Sequence, residues 1–78
     1  MKQFRIAIHS FAEVQAFVSL AMVQPFRVLV GSEDHCVNGK NFMGMFSLDY
    51  SRPLQVSVDC DDGEFQEFLT AAKPFLVA

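Results

Sequence analysis

The fold of this chain depends most on one short stretch, Lys40-Asn41-Phe42-Met43-Gly44-Met45-Phe46-Ser47-Leu48. Large apolar side chains flank a single glycine in it, and strand-like segments lie before and after it. The preceding Asn38-Gly39 pair is typical of a β-hairpin turn, so the stretch could continue as a strand. A short helix is the alternative, and it would place Phe42, Met43 and Phe46 on one face.

Strand signals lie on both sides of this stretch. Alternating apolar and polar residues predict strands over residues 2–8 and 54–58. The same alternation over residues 26–30 predicts another strand. A short strand is expected at residues 35–37, after a turn formed by Gly31-Ser32-Glu33-Asp34.

Two further segments carry the apolar spacing and the start signals of amphipathic helices. In a capping box, a short polar side chain at the helix start and a glutamate three residues later each accept a backbone amide. Ser10 with Glu13 matches this pattern, and so does Asp61 with Glu64. The second of these helices is predicted to end or kink at Pro74.

The predicted elements follow the order β-α-β-β-α-β-α, and the first helix is expected to end near Val23, before Pro25. They form one domain over residues 1–78. Helices that lie on one face of an antiparallel sheet would bury the apolar side of every strand. The sequence therefore predicts an α+β open-faced sandwich, with a four-stranded antiparallel sheet and the helices on one face.

The composition argues against several classes of protein. A chain of 78 residues with 51% hydrophobic residues and nine phenylalanines can build one dense core. A net charge of −3 with only six lysines and arginines argues against nucleic-acid binding. No long apolar run follows Met1, so neither a signal peptide nor a membrane span is expected. Cys36 and Cys60 are expected to be free thiols in a reducing cytosol.

The acidic segment at residues 59–64 is expected to be a strand-to-helix turn rather than a metal site. Its glycine, Gly63, comes one place too early for a calcium loop, and Thr70 stands where the closing glutamate belongs. The two cysteines lack the CxxC spacing of a zinc site. We therefore expect no metal and no cofactor.

The element order and the stretch at residues 40–48 resemble the HPr phosphocarrier family of the bacterial sugar phosphotransferase system. The family motif reads Lys-Ser-[Ile/Leu]-Met-Gly with Ser-Leu a few residues on, and this chain has Lys40-Asn41-Phe42-Met43-Gly44 with Ser47-Leu48. The resemblance spans nearly the whole chain and favours a short helix in the ambiguous stretch. It implies the HPr-like sandwich and a cytoplasmic, bacterial protein related to sugar transport.

The resemblance stops at the family's phosphate-carrying motif, His-x-Arg-Pro, at the start of the first helix. Counting back from Lys40 without gaps, Ser10 takes the place of the histidine, Ala12 of the arginine and Glu13 of the proline. A capping box there would occupy amides that a phosphate needs, and Glu13 would add a negative charge. Asn41 stands at the family's regulatory serine position and has no hydroxyl to phosphorylate.

His9 is the alternative phosphoacceptor, because imidazole is a good nucleophile near neutral pH. The interpretation we favour is a histidine at the end of a strand, with no role in phosphate transfer. Arg5 or Arg52 could approach it in space, although no arginine follows it in the loop.

The apolar face of the short helix is the part of the family pattern that survives. Phe42, Met43 and Phe46 match family positions that dock onto Enzyme I and onto a transcriptional co-regulator. Aromatic and methionine side chains suit adaptable interfaces. The same three side chains could instead complete this chain's own core. In a short helix, Met45 would lie away from their shared face.

Three functions remain open from the sequence. We favour a binding or regulatory module that acts through Phe42, Met43 and Phe46, carries no phosphate and is not an enzyme. The second is a divergent phosphocarrier that uses His9. The third is a structural or oligomerising domain in which the apolar face is buried.

Overall fold

The computed structural model describes residues 2–32 and 35–77. Its helices and strands are β1 (Lys2–Ile6), α1 (Phe11–Met22), β2 (Val28–Gly31), β3 (Cys36–Asn38), α2 (Phe42–Met45), β4 (Leu54–Val58) and α3 (Asp62–Ala71). A 3-10 turn over Lys73–Phe75 follows α3. The turn predicted at residues 31–34 lies partly outside the described residues.

The four strands form one antiparallel sheet in the order β1-β4-β2-β3. Strand β4 lies between β1 and β2, so that Val56 pairs with Phe4 on one side and Val30 on the other. Val56 is fully buried, whereas the next residue towards the N-terminus, Gln55, is exposed. The apolar side of the sheet is covered by the helices, which confirms the predicted α+β open-faced sandwich.

Strand β1 is shorter than the predicted segment 2–8. Its last pair joins Ile6 to Leu54, which is the first residue of β4 and follows Pro53. Beyond that point the amide of Ala7 donates to the carbonyl of Phe75 at 2.8 Å, so the C-terminal segment takes over the pairing. Strand β1 is shorter than predicted because its neighbour β4 offers no residue to pair with beyond Leu54, although the alternation of apolar and polar residues continues in the sequence.

Phenylalanine rings fill much of the core between the sheet and the helices. Phe68 of α3 is fully buried, and its ring centroid lies 5.6 Å from those of Phe4 and Phe26. Both pairs have the edge-to-face geometry that aromatic rings favour. The buried face of α1 adds Val14, Phe17, Val18 and Ala21.

The ambiguous stretch forms a helix, as predicted. The side chain of Asn41 caps α2 by accepting a hydrogen bond from the Gly44 amide at 3.1 Å. The Gly39 amide donates to the Val28 carbonyl at 2.8 Å, which extends the pairing of β3 with β2, so Asn38-Gly39 leads from β3 into α2 and does not open a hairpin. Met45, the last residue of α2, is fully buried.

The start and end of α3 also follow the sequence signals. The Asp61 side chain accepts from the Glu64 amide at 2.7 Å, and the Glu64 carboxylate accepts from the Asp61 amide at 3.2 Å. This confirms the predicted capping box. The helix ends at Ala71, and Pro74 lies in the 3-10 turn that follows it.

None of the helices in residues 2–32 and 35–77 combines the length and the apolar character that crossing a bilayer requires.

Candidate functional site

The N-terminus of α1 is capped at one amide by Ser10, and the carboxylate of Glu13 lies in the same turn. The Ser10 hydroxyl oxygen accepts a hydrogen bond from the Glu13 amide at 3.2 Å. The Glu13 carboxylate accepts from the His9 amide at 2.8 Å. In the predicted capping box, Glu13 would have bonded the amide of Ser10, so this half of the prediction is wrong by one residue. Ser10 has extended backbone, with φ −152° and ψ 161°, and the carboxylate reaches past it.

This arrangement places a carboxylate where the helix would attract an anion. Unpaired amides and the helix dipole give an α-helix a partial positive charge at its start. Here Glu13 supplies a negative charge within the first turn of α1, and the bond to His9 holds it there. A phosphoryl group at the same place would have to displace the carboxylate or accept its repulsion.

His9 lies at the rim of an open groove of about 390 Å³ beside the start of α1. The groove is lined by Ile8, His9, Ser10, Phe11, Val14, Phe46 and Tyr50. Among the described residues this lining contains no arginine to neutralise a phosphate. Arg52 lies elsewhere, at a depression that it shares with His35.

Two phenylalanines that line the groove, Phe11 and Phe46, form an aromatic cluster with Phe42. Ring centroids are 5.7 Å apart for Phe11 and Phe42, and 5.1 Å apart for Phe11 and Phe46. Phe42 and Phe46 are separated by 4.7 Å. The exposed fraction is 55% for Phe11 and 44% for Phe46. Contiguous exposed apolar surface is typical of sites where proteins bind other molecules.

The structure separates the apolar side chains of α2 into an outer and an inner set. Met43 and Phe46 are exposed, and Met45 is fully buried on the opposite side. Phe42 lies between these sets, because it packs partly against the core and partly against Phe11. One alternative was that Phe42, Met43 and Phe46 all complete the core. Of the three, only Phe42 packs against the core, and it does so only in part.

Phe11 was not among the predicted site residues, although it joins α1 to α2. The sequence could have indicated this role, because Phe11 is a large aromatic residue that lies outside the buried apolar stripe beginning at Val14. It lies next to Ser10, so the capped helix start and the aromatic cluster are adjacent. Phe11 and Phe46 are separated by nearly half of the chain's length, so sequence spacing gives no direct indication of their contact.

A second depression, of about 530 Å³, lies at the far end of α2. His35 is exposed there, and its Nε2 lies 3.3 Å from the Ser47 hydroxyl oxygen. The same hydroxyl donates to the Gly44 carbonyl at 2.7 Å. Ser47 thus bonds to one of the last carbonyls of α2, which gives it a structural role.

The cysteines and acidic groups of the described residues form no cluster of three or more that could hold a metal ion. Cys36 and Cys60 are both free thiols. Burial is the main reason that the pKa of Cys60 is raised, so its thiol stays protonated near neutral pH.

The fold is similar to that of a solved HPr protein. The crystal structure of HPr-C-His from Thermoanaerobacter tengcongensis superimposes with a TM-score of 0.74 and 27% sequence identity, covering 95% of this chain and 89% of that chain. No protein-family model matches the chain. No curated protein sequence matches it either. The chain therefore has an HPr-like fold.

Proposed function

We propose that this chain is a divergent HPr-like binding or regulatory module that does not carry phosphate. One observation carries the proposal. The helix start that would hold a phosphoryl group is capped by Ser10 and carries the fixed carboxylate of Glu13, while Phe11 and Phe46 of the aromatic cluster beside it stay exposed. The surface for partner docking is thus retained, whereas the helix start carries a fixed negative charge.

The partners proposed are proteins, either Enzyme I-like or regulatory, and the setting is the cytoplasm of a bacterium with a sugar phosphotransferase system. The similarity to the Thermoanaerobacter HPr structure supports this setting. The regulatory switch of the family is proposed to be absent, because Asn41 accepts the Gly44 amide as a helix cap and offers no hydroxyl. No nucleic acid, membrane, metal or cofactor enters the proposal.

The proposed docking surface consists of Phe11, Phe42, Met43 and Phe46. Met43 has an exposed fraction of 75%, so it can be changed without disturbing the core. Phe46 and Phe11 together present ring faces that a partner could cover with apolar side chains. Burial of such rings gives interfaces much of their binding energy.

Binding to purified Enzyme I, measured by calorimetric titration, tests this surface. Met43→Glu is expected to weaken binding about tenfold or more, because it places a charge in an apolar contact. Gln66→Glu on α3 is the control, since it adds the same charge at an exposed position away from the cluster. Equal affinities for the two variants would contradict the proposed docking surface.

Phosphate transfer is tested separately. Phosphoenolpyruvate and Enzyme I are incubated with the chain, and intact mass is recorded under conditions that fully charge an ordinary HPr. We expect no added phosphate. The second candidate function is a phosphocarrier that uses His9, which is exposed beside the start of α1. An acid-labile phosphate that disappears in His9→Ala would establish this second function and overturn the first.

A further inference from the structure

Both signs of charge and an apolar wall meet in the depression at the far end of α2. Its volume of about 530 Å³ is in the range of small-molecule sites. Arg52 and Asp49 supply the two charges, and Ser32, His35 and Ser47 supply further polar groups. A site with a cation, an anion and an apolar surface is complementary to a small molecule that carries both charges.

The carboxylate of Asp49 is held by its own loop. Its Oδ1 accepts hydrogen bonds from the Ser51 hydroxyl at 2.6 Å and from the Ser51 amide at 2.9 Å. The hydroxyl bond first and the amide bond second lower the pKa of Asp49, and the nearby charge of Arg52 adds to them, so the carboxylate is ionised near neutral pH. Within residues 2–32 and 35–77, its Oδ2 makes no hydrogen bond, so this oxygen is available as an acceptor.

The guanidinium of Arg52 lines the depression as its positive group. No ion pair joins Arg52 to Asp49 or to another carboxylate in the described parts of the chain. The bonds from Ser51 keep the Asp49 carboxylate in its own turn, which explains why these two neighbouring charges do not meet. Pro53 restricts the backbone of Arg52 to extended conformations, which limits where the guanidinium can lie.

The apolar wall of the depression is built from residues that the fold holds in place. Leu54 is buried, and it begins β4 by pairing with Ile6 of β1. Leu48 is half-buried, and its amide donates to the Met45 carbonyl at 3.3 Å. Pro53 completes the wall beside Leu54. Because this surface is formed before a ligand arrives, binding does not have to order it.

His35 and Ser47 connect the depression to α2. The single hydroxyl proton of Ser47 is donated to the Gly44 carbonyl at 2.7 Å. The hydroxyl oxygen can therefore accept from Nε2 of His35, which lies 3.3 Å away. Both side chains are thus oriented by contacts within the chain, and neither adds a negative charge to the depression.

We propose that this depression binds a small zwitterion of the α-amino acid type, such as leucine. The carboxylate of the ligand bonds to the guanidinium of Arg52, whose paired N–H groups match its two oxygens. The ammonium group of the ligand bonds to Oδ2 of Asp49, and its side chain lies against Leu48, Pro53 and Leu54. A ligand with negative charge alone is disfavoured, because Asp49 and the net charge of −3 repel it.

The site is independent of the proposed function. Among the described residues, the lining of this depression shares no member with the groove beside α1 or with the docking surface. Arg52 and Asp49 are both exposed, so water competes for their hydrogen bonds. We therefore expect weak binding, with a dissociation constant on the order of 1 mM.

Titration of the isotope-labelled chain with L-leucine to about 20 mM, followed by nuclear magnetic resonance, tests the proposal. Saturable shifts are expected at the amides of Leu48 and Arg52. Two probes each lack one of the charges, because isocaproate keeps only the carboxylate and isoamylamine keeps only the ammonium group. Each probe should bind about tenfold more weakly than leucine, since one charged hydrogen bond is missing.

Substitutions of the two charged residues test their roles. Arg52→Gln and Asp49→Asn should each weaken leucine binding about tenfold. Asparagine keeps an oxygen that can accept from Ser51, so the turn is retained. Arg5→Gln and Asp59→Asn are the matched controls, because they make the same changes at exposed positions outside the depression. Both controls should bind leucine as the wild-type chain does.

The choice between probes gives a second readout. In Asp49→Asn, leucine and isocaproate should bind equally, because the ammonium group has lost its partner. The absence of saturable shifts up to about 20 mM leucine would overturn the proposal. Equal binding of isocaproate and leucine to the wild-type chain would also overturn it, since the site would then select only an anion. Met43→Glu should bind leucine normally, so this proposal and the docking surface can fail separately.

Discussion

The carboxylate of Glu13 accepts a hydrogen bond from the backbone amide of His9 at 2.8 Å, and this contact bridges the end of the loop after β1 to the first turn of α1. Together with the bond from the Glu13 amide to the Ser10 hydroxyl, it fixes how the chain enters the helix. The carboxylate of Glu13 is thus held at the start of α1 by the chain's own hydrogen bonds.

The first prediction concerns this helix start. Ser10→Ala should lower the free energy of unfolding by about 1 kcal/mol, because the Glu13 amide loses its acceptor. Ser19→Ala, at an exposed position in the middle of α1, should change it by less than about 0.5 kcal/mol. Urea denaturation of the two variants checks the difference. Equal stabilities would show that Ser10 does not act as a cap.

The second prediction contrasts the two methionines of α2. Met45→Ala should cost about 2–5 kcal/mol, because the side chain is fully buried and its removal leaves a cavity. Met43→Ala should change stability by less than about 0.5 kcal/mol, because that side chain is mostly in solvent. Thermal unfolding at a fixed concentration compares them. A large loss in Met43→Ala would mean that α2 presents its other side to the core.

The third prediction contrasts two glycines. A Cβ atom at Gly31 would lie 2.0 Å from the His35 carbonyl oxygen and 2.7 Å from the Cα of Cys36, so backbone would have to move. Gly31→Ala should therefore destabilise the chain by about 1–3 kcal/mol or more. At Gly63, in the first turn of α3, the nearest atom would be 3.5 Å away, on Asp61.

Gly63→Ala is the control for that substitution. It should raise stability by about 0.4–1 kcal/mol, because alanine restricts the unfolded chain and favours helix. Chemical denaturation of both variants measures the contrast. If Gly31→Ala were as stable as the wild-type chain, the close approach of β3 to β2 at this position would be wrong.

The fourth prediction concerns pH. Lys2 of β1 donates a hydrogen bond to Asp62 of α3, which lowers the pKa of Asp62 below 3.8 and raises the pKa of Lys2 above 10.5. The contribution of Asp62 to stability is fully present above pH 3.8 and is lost as pH falls through the lowered pKa. The contribution of Lys2 to stability is fully present below pH 10.5 and is lost as pH rises through its raised pKa.

Asp62→Asn removes the carboxylate and tests the pair. The melting temperature of this variant should lie slightly below that of the wild-type chain at pH 7, and the gap should begin to close below pH 3.8 and vanish once pH is below the lowered pKa of Asp62. The gap should be small and should shrink at about 1 M salt, because Asp62 is largely exposed. A gap that persists at pH 2 would point to a cause other than the ion pair.

Much of the fold follows from residues close together in sequence. The capping box of Asp61 and Glu64 and the end of α3 before Pro74 depend on bonds that span four residues or fewer, so spacing predicts them. The Glu13 carboxylate accepts from the amide of His9, one residue before the amide that the capping-box pattern predicts. A shift of one residue in the loop changes which amide is reached, and the spacing of Ser10 and Glu13 is the same in both cases.

Spacing and side-chain chemistry were enough to predict the long helices, the apolar faces of β1, β2 and β4, and the capping box of α3, because each depends on residues close together in the chain. The position of β4 between β1 and β2 and the stacking of Phe11 on Phe46 became visible only in the folded chain. So did the solvent exposure of Met43 and the burial of Met45. Those contacts join residues far apart in the chain, and they exist only once the sheet has aligned the helices above it.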